Sequence, residues 1–481
     1  MTVSDYQAII GLEIHVQLDT KSKLFCPCSA DVFQAPPNTL TCPVCSGQPG
    51  ALPTLNSCAV ELAILTALSL NCEISSTTRW DRKSYFYPDL PKGYQISQSD
   101  LPIGISGWFD LEHNGSIDRI HIQRVHLEED AGKSIHHGNH ALIDLNRAGV
   151  PLAEIVTEPD LRSPEQVYAF LTELRQILRY VGVSEAEMEK GAMRCEPNVS
   201  LMPHGAHELG PRTEIKNLNS LRVVRKAVTA EIQRQTEIVQ RGNQVESITL
   251  GWDESTNTLF EQRKKETSDD YRYFPEPDLL PLSISSALVA SLKANMPALP
   301  QQVKQKLIKD FSLSEKEVQV IVKERYIAEF FISAASIFPG KAKKVYNWIT
   351  GPLFHQLRQQ GLELDQSPLT PQSLVDIISM VETNVINPQT AENVLLQVLK
   401  GKGAPLQIIE QGDLRLVSDR ASITNNVVAV LDENPEQVTK YRQGKTTIIN
   451  WLQGQVVARM RGKADPHLIR QVLMQILEDE S

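Results

Sequence analysis

Apolar and polar residues alternate with a period of two through much of the first 293 residues of this 481-residue chain. Ile10–Leu18 and Arg119–His126 are two such segments. Alternation of this kind predicts strands with one buried and one solvated face. The segments are separated by stretches rich in Gly, Pro and aromatic residues. The sequence therefore predicts an α+β domain built on a mainly antiparallel sheet.

Two helices interrupt the predicted strands. The first begins at Ser163, an N-cap followed by a proline at the first helical position, has a capping-box Gln166 and ends near Gly182. The second is predicted from about residue 220 to 242. The first helix has an apolar face that contains Val167, Leu171, Leu174, Leu178 and Val181.

The pattern becomes helical after residue 293. Met296–Pro300 is typical of a linker, and Gly401–Pro405 marks a second break. The two breaks predict three domains. This number also agrees with the number of domains expected for a chain of this length. They are an α+β catalytic domain over residues 1–293, a helical domain over 294–405 and a helical tail over 406–481, whose last helix is predicted at 466–478.

The net charge of -10 argues against a protein that coats nucleic acid along its whole surface. The tail nevertheless has seven basic residues and one acidic residue, Asp465, between positions 440 and 470, a local balance of +6. This cluster favours contact with a phosphate backbone, and a solvated helix face is the alternative. The basic residues are Lys440, Arg442, Lys445, Arg459, Arg461, Lys463 and Arg470.

The N-terminal segment lacks the basic and apolar regions of a signal peptide. No apolar run approaches the ~20 residues that span a bilayer. The sequence thus predicts a cytoplasmic protein that does not bind membranes. In that compartment, clustered cysteines favour a metal site over disulfides.

Four of the seven cysteines lie in a short segment, residues 26–45, and their spacing predicts a closed tetrahedral zinc shell with a structural role. Free or disulfide-bonded cysteines are the alternative. The remaining Cys58, Cys72 and Cys195 are interpreted as buried thiols. The predicted zinc ligands are Cys26, Cys28, Cys42 and Cys45.

Acidic side chains recur on the polar faces of the predicted strands. Glu13 and His15 share one face of the first strand, which alone is typical of a half-solvated strand. Glu154, however, lies within an otherwise apolar strand, where a carboxylate is costly to bury unless it meets a cation. Further acidic segments follow around residues 128–130, 196 and 214. Such oxygen-rich sets suit Mg²⁺ and point to nucleotide chemistry.

The usual nucleotide-binding and hydrolase motifs are missing. Ala131–Ser134 ends like a P-loop, but Leu127 stands where its first glycine is required. No G-x-S-x-G or H-E-x-x-H motif is present. An ATP site would therefore be a metal-centred one on the sheet, with basic and aromatic residues supplied by segments 79–87, 92–98 and 269–275.

The acidic and aromatic segments, in their order along the chain, resemble the B subunits of the tRNA-dependent amidotransferase GatCAB. The resemblance covers essentially the whole chain. It is carried by Gly11–Leu18, Asp81–Asp89, Gly93–Gln98, His126–Ser134, Asp144–Arg147, Glu154–Asp160, Arg194–Ser200, Glu214–Ser220 and Ser268–Asp278.

This resemblance implies a cradle domain related in fold to glutamine synthetase. With Mg²⁺ and ATP, such a domain phosphorylates the side-chain carboxylate of misacylated Glu-tRNA(Gln) or Asp-tRNA(Asn). Ammonia from the glutaminase, or A, subunit then displaces phosphate, and a small C subunit completes the heterotrimer. The tail is implied to bind the tRNA elbow. The chain itself has no recognisable glutaminase nucleophile, in keeping with ammonia delivered by a partner.

The resemblance also implies roles for individual residues. His15, Glu129 and Glu154 match the Mg²⁺ ligands, with Glu128 as the alternative to Glu129. Glu13 and Glu214 match acidic members of the same site, and Glu13 is expected at its ammonia end. Nucleotide or substrate contacts are expected from Lys83, Lys216 and Arg272, whereas Glu196 stands where some members carry Asp, and its role is left open.

Two other functions remain open on the residues alone. The first is a non-catalytic tRNA-binding scaffold stabilised by zinc, which would bind tRNA without requiring ATP. The second is a zinc hydrolase, which ranks last because four cysteines leave no open position on the metal.

Overall fold

The computed structural model describes residues 6–206, 208–264, 268–417, 419–460 and 463–479. The chain separates into two compact units, the first ending at Pro300 and the second beginning at Gln301. The first unit is mixed α/β with a large sheet, and the second is helical. A division of the helical region at residue 405 stays a prediction.

Among the described residues, the strands all lie in the first unit. They are β1 (Tyr6–Gln17), β2 (Glu73–Ile74), β3 (Thr77–Thr78), β4 (Asp81–Ser84), β5 (Tyr94–Ser97), β6 (Gly104–His113), β7 (Ser116–Glu129), β8 (Lys133–His137), β9 (His140–Asp144), β10 (Pro151–Thr157), β11 (Met193–Pro203), β12 (Thr213–Lys216), β13 (Ile248–Asp253), β14 (Thr258–Lys264), β15 (Phe274–Pro275) and β16 (Leu282–Ser283).

The helices of the first unit are α1 (Ser57–Ser69), α2 (Pro164–Val181), α3 (Leu221–Gln240) and α4 (Ser286–Asn295). Those that follow are α5 (Pro300–Phe311), α6 (Glu315–Ile321), α7 (Arg325–Ile337), α8 (Ala342–Trp348), α9 (Phe354–Gln360), α10 (Pro371–Glu382), α11 (Pro388–Leu399), α12 (Pro405–Gln411), α13 (Arg420–Glu433), α14 (Pro435–Arg442), α15 (Ile448–Arg459) and α16 (Pro466–Asp479). Within the described ranges, no helix is long and apolar enough to cross a membrane.

Nine strands form the main sheet, in the order β14-β13-β12-β11-β1-β10-β7-β6-β2. Neighbouring strands are antiparallel except β12 and β13, which are parallel. Strand β1 lies at the centre, paired with β10 on one side and β11 on the other. A smaller sheet has the order β15-β4-β5.

The two faces of the main sheet differ in chemistry because side chains alternate along each strand. On one face, fully buried residues such as Ile14 of β1 and Ile155 of β10 join a core with apolar residues of α1, α2 and α3. The other face carries the polar residues of the same strands. The helices therefore cover one face of the sheet and leave the other for a polar site.

Helix α2 forms where the sequence predicts it. The Ser163 side chain accepts a hydrogen bond from the Gln166 backbone N–H at 3.1 Å, and Gly182 ends the helix in the left-handed region at φ 73°. All five predicted apolar residues are buried. The capping-box role of Gln166 is wrong, however. Its Oε1 accepts from the backbone N–H of Arg162 at 2.8 Å instead of that of Ser163, and its Nε2 donates to Asp118.

The last helix, α16, begins at the predicted Pro466 and packs in a separate apolar cluster of the tail. That cluster also includes Ile423 and Val427 of α13 and Leu452 of α15. Helix α12 instead packs against α10 and α11.

Candidate active site and metal centres

His15, Glu128 and Glu154 form a compact cluster on the polar face of the main sheet. The Nε2 atom of His15 lies 3.4 Å from Oε1 of Glu128 and 3.5 Å from Oε2 of Glu154. Glu128 is 2% exposed and Glu154 is 6% exposed. A nitrogen and two carboxylate oxygens converge within 4.8 Å of one another, which is a suitable set for one divalent cation.

Strand register brings these residues together from distant parts of the chain. His15 on β1 stands opposite Glu154 on β10, and Glu154 stands opposite His126 on β7. Glu128 follows His126 by two residues and therefore shares its face. The alternation of β1, β7 and β10 thus places His15, Glu128 and Glu154 on the side of the sheet that the helices do not cover.

The electrostatic field of this cluster is strongly negative. Burial alone would lower the pKa of His15, but the carboxylates of Glu154 and Glu128 outweigh it and raise the pKa to about 9. Burial likewise opposes ionisation of Glu154, yet its contacts with His126 and His15 hold the pKa of Glu154 well below its usual range. Both shifts show that the site favours positive charge.

Glu129, one of the expected Mg²⁺ ligands, lies outside the cluster. Its Oε1 accepts a hydrogen bond from the backbone N–H of Ile96 at 2.9 Å and contacts the ammonium group of Lys92. Adjacent residues of a strand point to opposite sides, so Glu128 and Glu129 cannot both face His15. The structure places Glu128, the alternative, beside His15 and Glu154.

A second acidic group lies on the same face, one step along the strands. Glu13, Glu196 and Glu214 have carboxylate oxygens within 4.8 Å of one another. Glu13 stands opposite Glu196 on β11 and accepts a hydrogen bond from Asn198 at 3.1 Å. Glu214 on β12 accepts from Thr249 Oγ1 at 3.0 Å.

Lys216 neutralises part of this second group. Its Nζ donates to Glu196 Oε2 at 2.6 Å and lies 3.8 Å from Glu214 Oε2. Burial opposes the charge, but Glu196 and Glu214 raise the pKa of Lys216. The structure therefore places Lys216 among the carboxylates rather than at an open phosphate position.

Lys83 faces the first cluster from the smaller sheet. Burial would lower its pKa, but Glu128, with Tyr273 and Glu154, raises it well above the usual value. The Nζ atom lies 4.8 Å from the ring centroid of Tyr271 and 5.9 Å from that of Tyr85. Lys83 thus remains charged inside an aromatic surround beside the carboxylates.

Arg272 lies at the exposed rim of this aromatic surround. Its guanidinium group stands 5.6 Å from the ring centroid of Phe86, whose side chain is 75% exposed. The backbone of Arg272 is left-handed at φ 46°, a conformation that is uncommon for a residue with a side chain. The structure therefore places Arg272 beside the exposed Phe86 and outside both acidic clusters.

The four clustered cysteines meet in the structure as their spacing predicts. All four Sγ atoms lie within 4.8 Å of one another, and none of the seven cysteines forms a disulfide. The Sγ atoms of Cys42 and Cys45 are 3.9 Å apart, close to the ~3.8 Å edge of a tetrahedron with ~2.3 Å zinc–sulfur bonds. The geometry and donor set therefore fit zinc.

The thiol of Cys45 is more acidic than that of an ordinary cysteine. A hydrogen bond from Cys26, with further contributions from the Cys42 backbone and Lys23, lowers the pKa of Cys45 to about 4. A thiolate is the form that binds metal. Outside the cluster, Cys72 and Cys195 are buried as predicted, but the prediction is wrong for Cys58, which is exposed in the first turn of α1.

Comparison with known proteins places the chain in a family. Residues 8–290 match the family described as the GatB/GatE catalytic domain, and residues 329–477 match the family described as the GatB domain. The chain belongs to the GatB family.

Curated relatives agree over the full length. The B subunit of the aspartyl/glutamyl-tRNA(Asn/Gln) amidotransferase of Persephonella marina is 42% identical over 98% of this chain and 100% of its own length. The protein of the same name from Thermodesulfovibrio yellowstonii is 43% identical over 98% and 100%, respectively. That from Brevibacillus brevis is 42% identical over 99% of each chain.

The structure of this GatB-family chain adds a residue to the site that the sequence analysis did not single out. His126 is buried, and its Nε2 lies 3.1 Å from Glu154 Oε2 and 4.0 Å from Glu128 Oε2. The signal was present, because His126 and Glu128 are two residues apart on one alternating strand. Glu196, whose role was left open, lies in the second acidic group.

The basic cluster of the tail is partly neutralised by residues outside its own segment. Both carboxylate oxygens of Glu433 contact Arg459, at 2.8 and 2.9 Å, and Asp413 contacts Lys463 at 2.7 Å. Glu436 lies 3.9 Å from Lys440. Arg461 falls outside the described residues. The local charge in the fold is therefore smaller than the +6 of the sequence segment.

Proposed function

We propose that this chain is the B subunit of a heterotrimeric GatCAB amidotransferase and that the polar face of its main sheet carries the ATP-dependent step. The substrates are misacylated Glu-tRNA(Gln), Asp-tRNA(Asn) or both. The proposal rests on one observation above all. Two acidic groups, one containing His15, lie side by side on the sheet face that the helices leave free.

The donor chemistry supports two divalent cations on this face. His15, Glu128 and Glu154 would hold one Mg²⁺, and Glu13, Glu196 and Glu214 would hold the other. Bound magnesium would neutralise charge on the phosphate groups during transfer. This grouping favours a ligand role for Glu13 over the ammonia-guiding role that the resemblance implied.

The reaction has two steps that the site residues would orient. The side-chain carboxylate of the misacylated amino acid takes the γ-phosphoryl group of ATP, and ADP leaves. Ammonia then attacks the carbonyl carbon, the new C–N bond replaces the C–O bond to phosphate, and the nitrogen loses a proton. Lys83 would offset the negative charge of the phosphates, because its ammonium group faces the carboxylates within a partly buried aromatic surround.

The remaining parts of the chain have supporting roles in this proposal. The first unit would be the cradle domain related in fold to glutamine synthetase, with the cysteine loop as a zinc-binding insertion. The helical tail would contact tRNA. The glutaminase, or A, subunit of the heterotrimer would supply ammonia, and its small C subunit would brace the complex.

A single-turnover assay of the whole complex tests the proposal. With γ-labelled ATP and Glu-tRNA(Gln), the wild type transfers label to the aminoacyl-tRNA and then forms amide. Glu154→Gln and His15→Ala abolish amide formation while glutamine hydrolysis survives at least in part. Glu165→Gln, which removes an exposed carboxylate on the helical side of the sheet, leaves amidation unchanged.

Two other results separate the proposal from its alternatives. Wild-type rates of amidation in both Glu154→Gln and His15→Ala would refute the assigned site. Tight tRNA binding with no ATP requirement and no labelled phosphate transfer would support a zinc-stabilised scaffold instead, an interpretation favoured only by the four-cysteine cluster.

A further inference from the structure

Lys23 is a fully buried lysine whose surroundings are unusual. Its side chain is 0% exposed, and across the ranges that the structure describes its ammonium group contacts a cysteine and two carbonyls but no carboxylate. Its Nζ donates to Cys45 Sγ at 3.4 Å, to the Leu40 carbonyl at 2.8 Å and to the Leu145 carbonyl at 3.5 Å. These contacts use all three N–H donors of the ammonium group.

A buried ammonium group requires a compensating charge, because desolvation without one is costly. The sulfur of Cys45, which is a thiolate when it binds metal, lies 3.4 Å from the Lys23 ammonium group and can supply that charge. Four thiolates around one divalent zinc leave an excess of two negative charges on the centre. Lys23 and the zinc–thiolate centre thus compensate each other, and neither is well accommodated alone.

Lys23 also joins two separate parts of the chain at this centre. Leu40 belongs to the cysteine loop, whereas Leu145 begins the connection from β9 to β10, the strand that carries Glu154. The same junction has a hydrogen bond from the Leu24 backbone N–H to the Gly149 carbonyl at 2.8 Å.

Gly149 lies against both the cysteine centre and Lys23. Its φ of 88° favours glycine, and a Cβ built there would lie 3.4 Å from Cys45 Cβ and 3.5 Å from Lys23 Cδ. The connection to β10 therefore packs directly on the cysteine centre and on the lysine stem.

We propose that Lys23 is a positioning residue of the zinc centre: its ammonium group offsets the thiolate charge and fastens the centre to the connection that enters β10. The inference rests on the proposed zinc site but not on the amidation chemistry. Its role is distinct from that of a ligand, since it acts through Cys45 and two backbone carbonyls.

Zinc affinity in the intact complex tests this role. Chelator competition is expected to show zinc binding 10–100-fold weaker in Lys23→Met, the usual cost of losing a partner of a metal ligand. Lys23→Arg keeps the charge and restores most of the affinity. Lys21→Met removes an exposed lysine two residues away and leaves affinity unchanged.

The cobalt-substituted protein gives a readout that a purely structural role would not move. A hydrogen bond and a positive charge stabilise the sulfur electrons, so their loss shifts the thiolate-to-cobalt charge-transfer band of Lys23→Met to longer wavelength. Lys23→Gln keeps a donor without the charge and is expected to give an intermediate band. It also serves as the deciding variant if Lys23→Met does not fold.

The outcomes distinguish the inference from the site on which it rests. A wild-type complex that binds no zinc would overturn both the zinc centre and the role of Lys23. Equal zinc affinity and identical cobalt spectra in wild type, Lys23→Met and Lys23→Gln would overturn the role of Lys23 alone.

Discussion

At the scale of single residues, the choice between Glu128 and Glu129 decides the composition of the proposed magnesium site that contains His15. Both are buried, and they are adjacent in the sequence. Glu128 lies 3.4 Å from His15, whereas Glu129 is bound to Ile96 and Lys92. The distinction follows from the alternation of side chains on β7, which allows only one of the two to face His15.

Divalent-cation binding tests this distinction without depending on activity. Glu128→Gln removes the negative charge of one ligand. We expect the affinity for Mn²⁺, measured by electron paramagnetic resonance, to fall by at least about tenfold. Glu129→Gln leaves that affinity within about twofold, whatever it does to the reaction rate. The opposite order of the two variants would show that the ligand is Glu129.

The residues that the sequence analysis missed or left open share a physical cause. His126 has the period-two signal, but its partner Glu154 is on another strand, and only strand register places them 3.1 Å apart. The second acidic group likewise forms from β1, β11 and β12. Alternation indicates the face on which a side chain lies, whereas its neighbours across the sheet depend on strand order.

At the scale of secondary-structure elements, capping residues predict the ends of a helix well. The charge counted over a sequence segment is a poorer predictor of the charge that the folded segment presents. The Ser163 cap and Gly182 end of α2 depend on neighbouring residues alone and are found as predicted. The basic segment of the tail depends on more distant residues. Asp413, on the loop after α12, and Glu433, at the end of α13, contact two of its cations, and neither belongs to the segment counted.

These ion pairs predict which tail cations contribute to tRNA binding. Lys445 is exposed and has no carboxylate contact within the described parts of the tail. Lys445→Ala should therefore weaken binding and reduce the slope of log affinity against log salt by about 1. Arg459→Ala should change that slope much less, because its guanidinium is already paired with Glu433.

Filter binding of tRNA to the complex over a salt series measures both variants. Equal slopes for wild type and Lys445→Ala, with a reduced slope for Arg459→Ala, would contradict the assignment. A uniform loss of binding without any change of slope would show that the tail acts through shape rather than through phosphate charge.

At the scale of the whole molecule, the division into an α/β unit and a helical unit follows from the change of hydrophobic period near residue 296. The strand order does not follow from the sequence. Strand β1 pairs with β10 and β11. The residues that stand opposite His15 on these strands, Glu154 and Arg194, are more than a hundred residues away in the sequence. Chain connectivity and alternation are compatible with many orders of the same strands, and side-chain packing selects one.

Removal of zinc should destabilise the first unit and not the second, because the cysteine centre lies in the first unit, beside the connection to β10. A ligand present at ~1,000 times its dissociation constant stabilises the folded state by about 4 kcal/mol. For a unit of this size, that corresponds to a loss of roughly 5–10 °C in its melting temperature when a chelator removes zinc. Hydrogen exchange should then increase around residues 143–150, while protection of α11 and α13 in the second unit stays unchanged.

Two single substitutions control for the chelator. Cys42→Ser should lower the melting temperature of the first unit without chelator and abolish the further decrease on chelation. Cys58→Ser alters an exposed cysteine outside the centre and should preserve the full zinc-dependent shift. A chelator effect of the same size in Cys42→Ser and wild type would mean that zinc stabilises the molecule elsewhere. Because Glu154 lies on the strand that the connection enters, that result would also mean that zinc binding at the cysteines does not stabilise the acidic face.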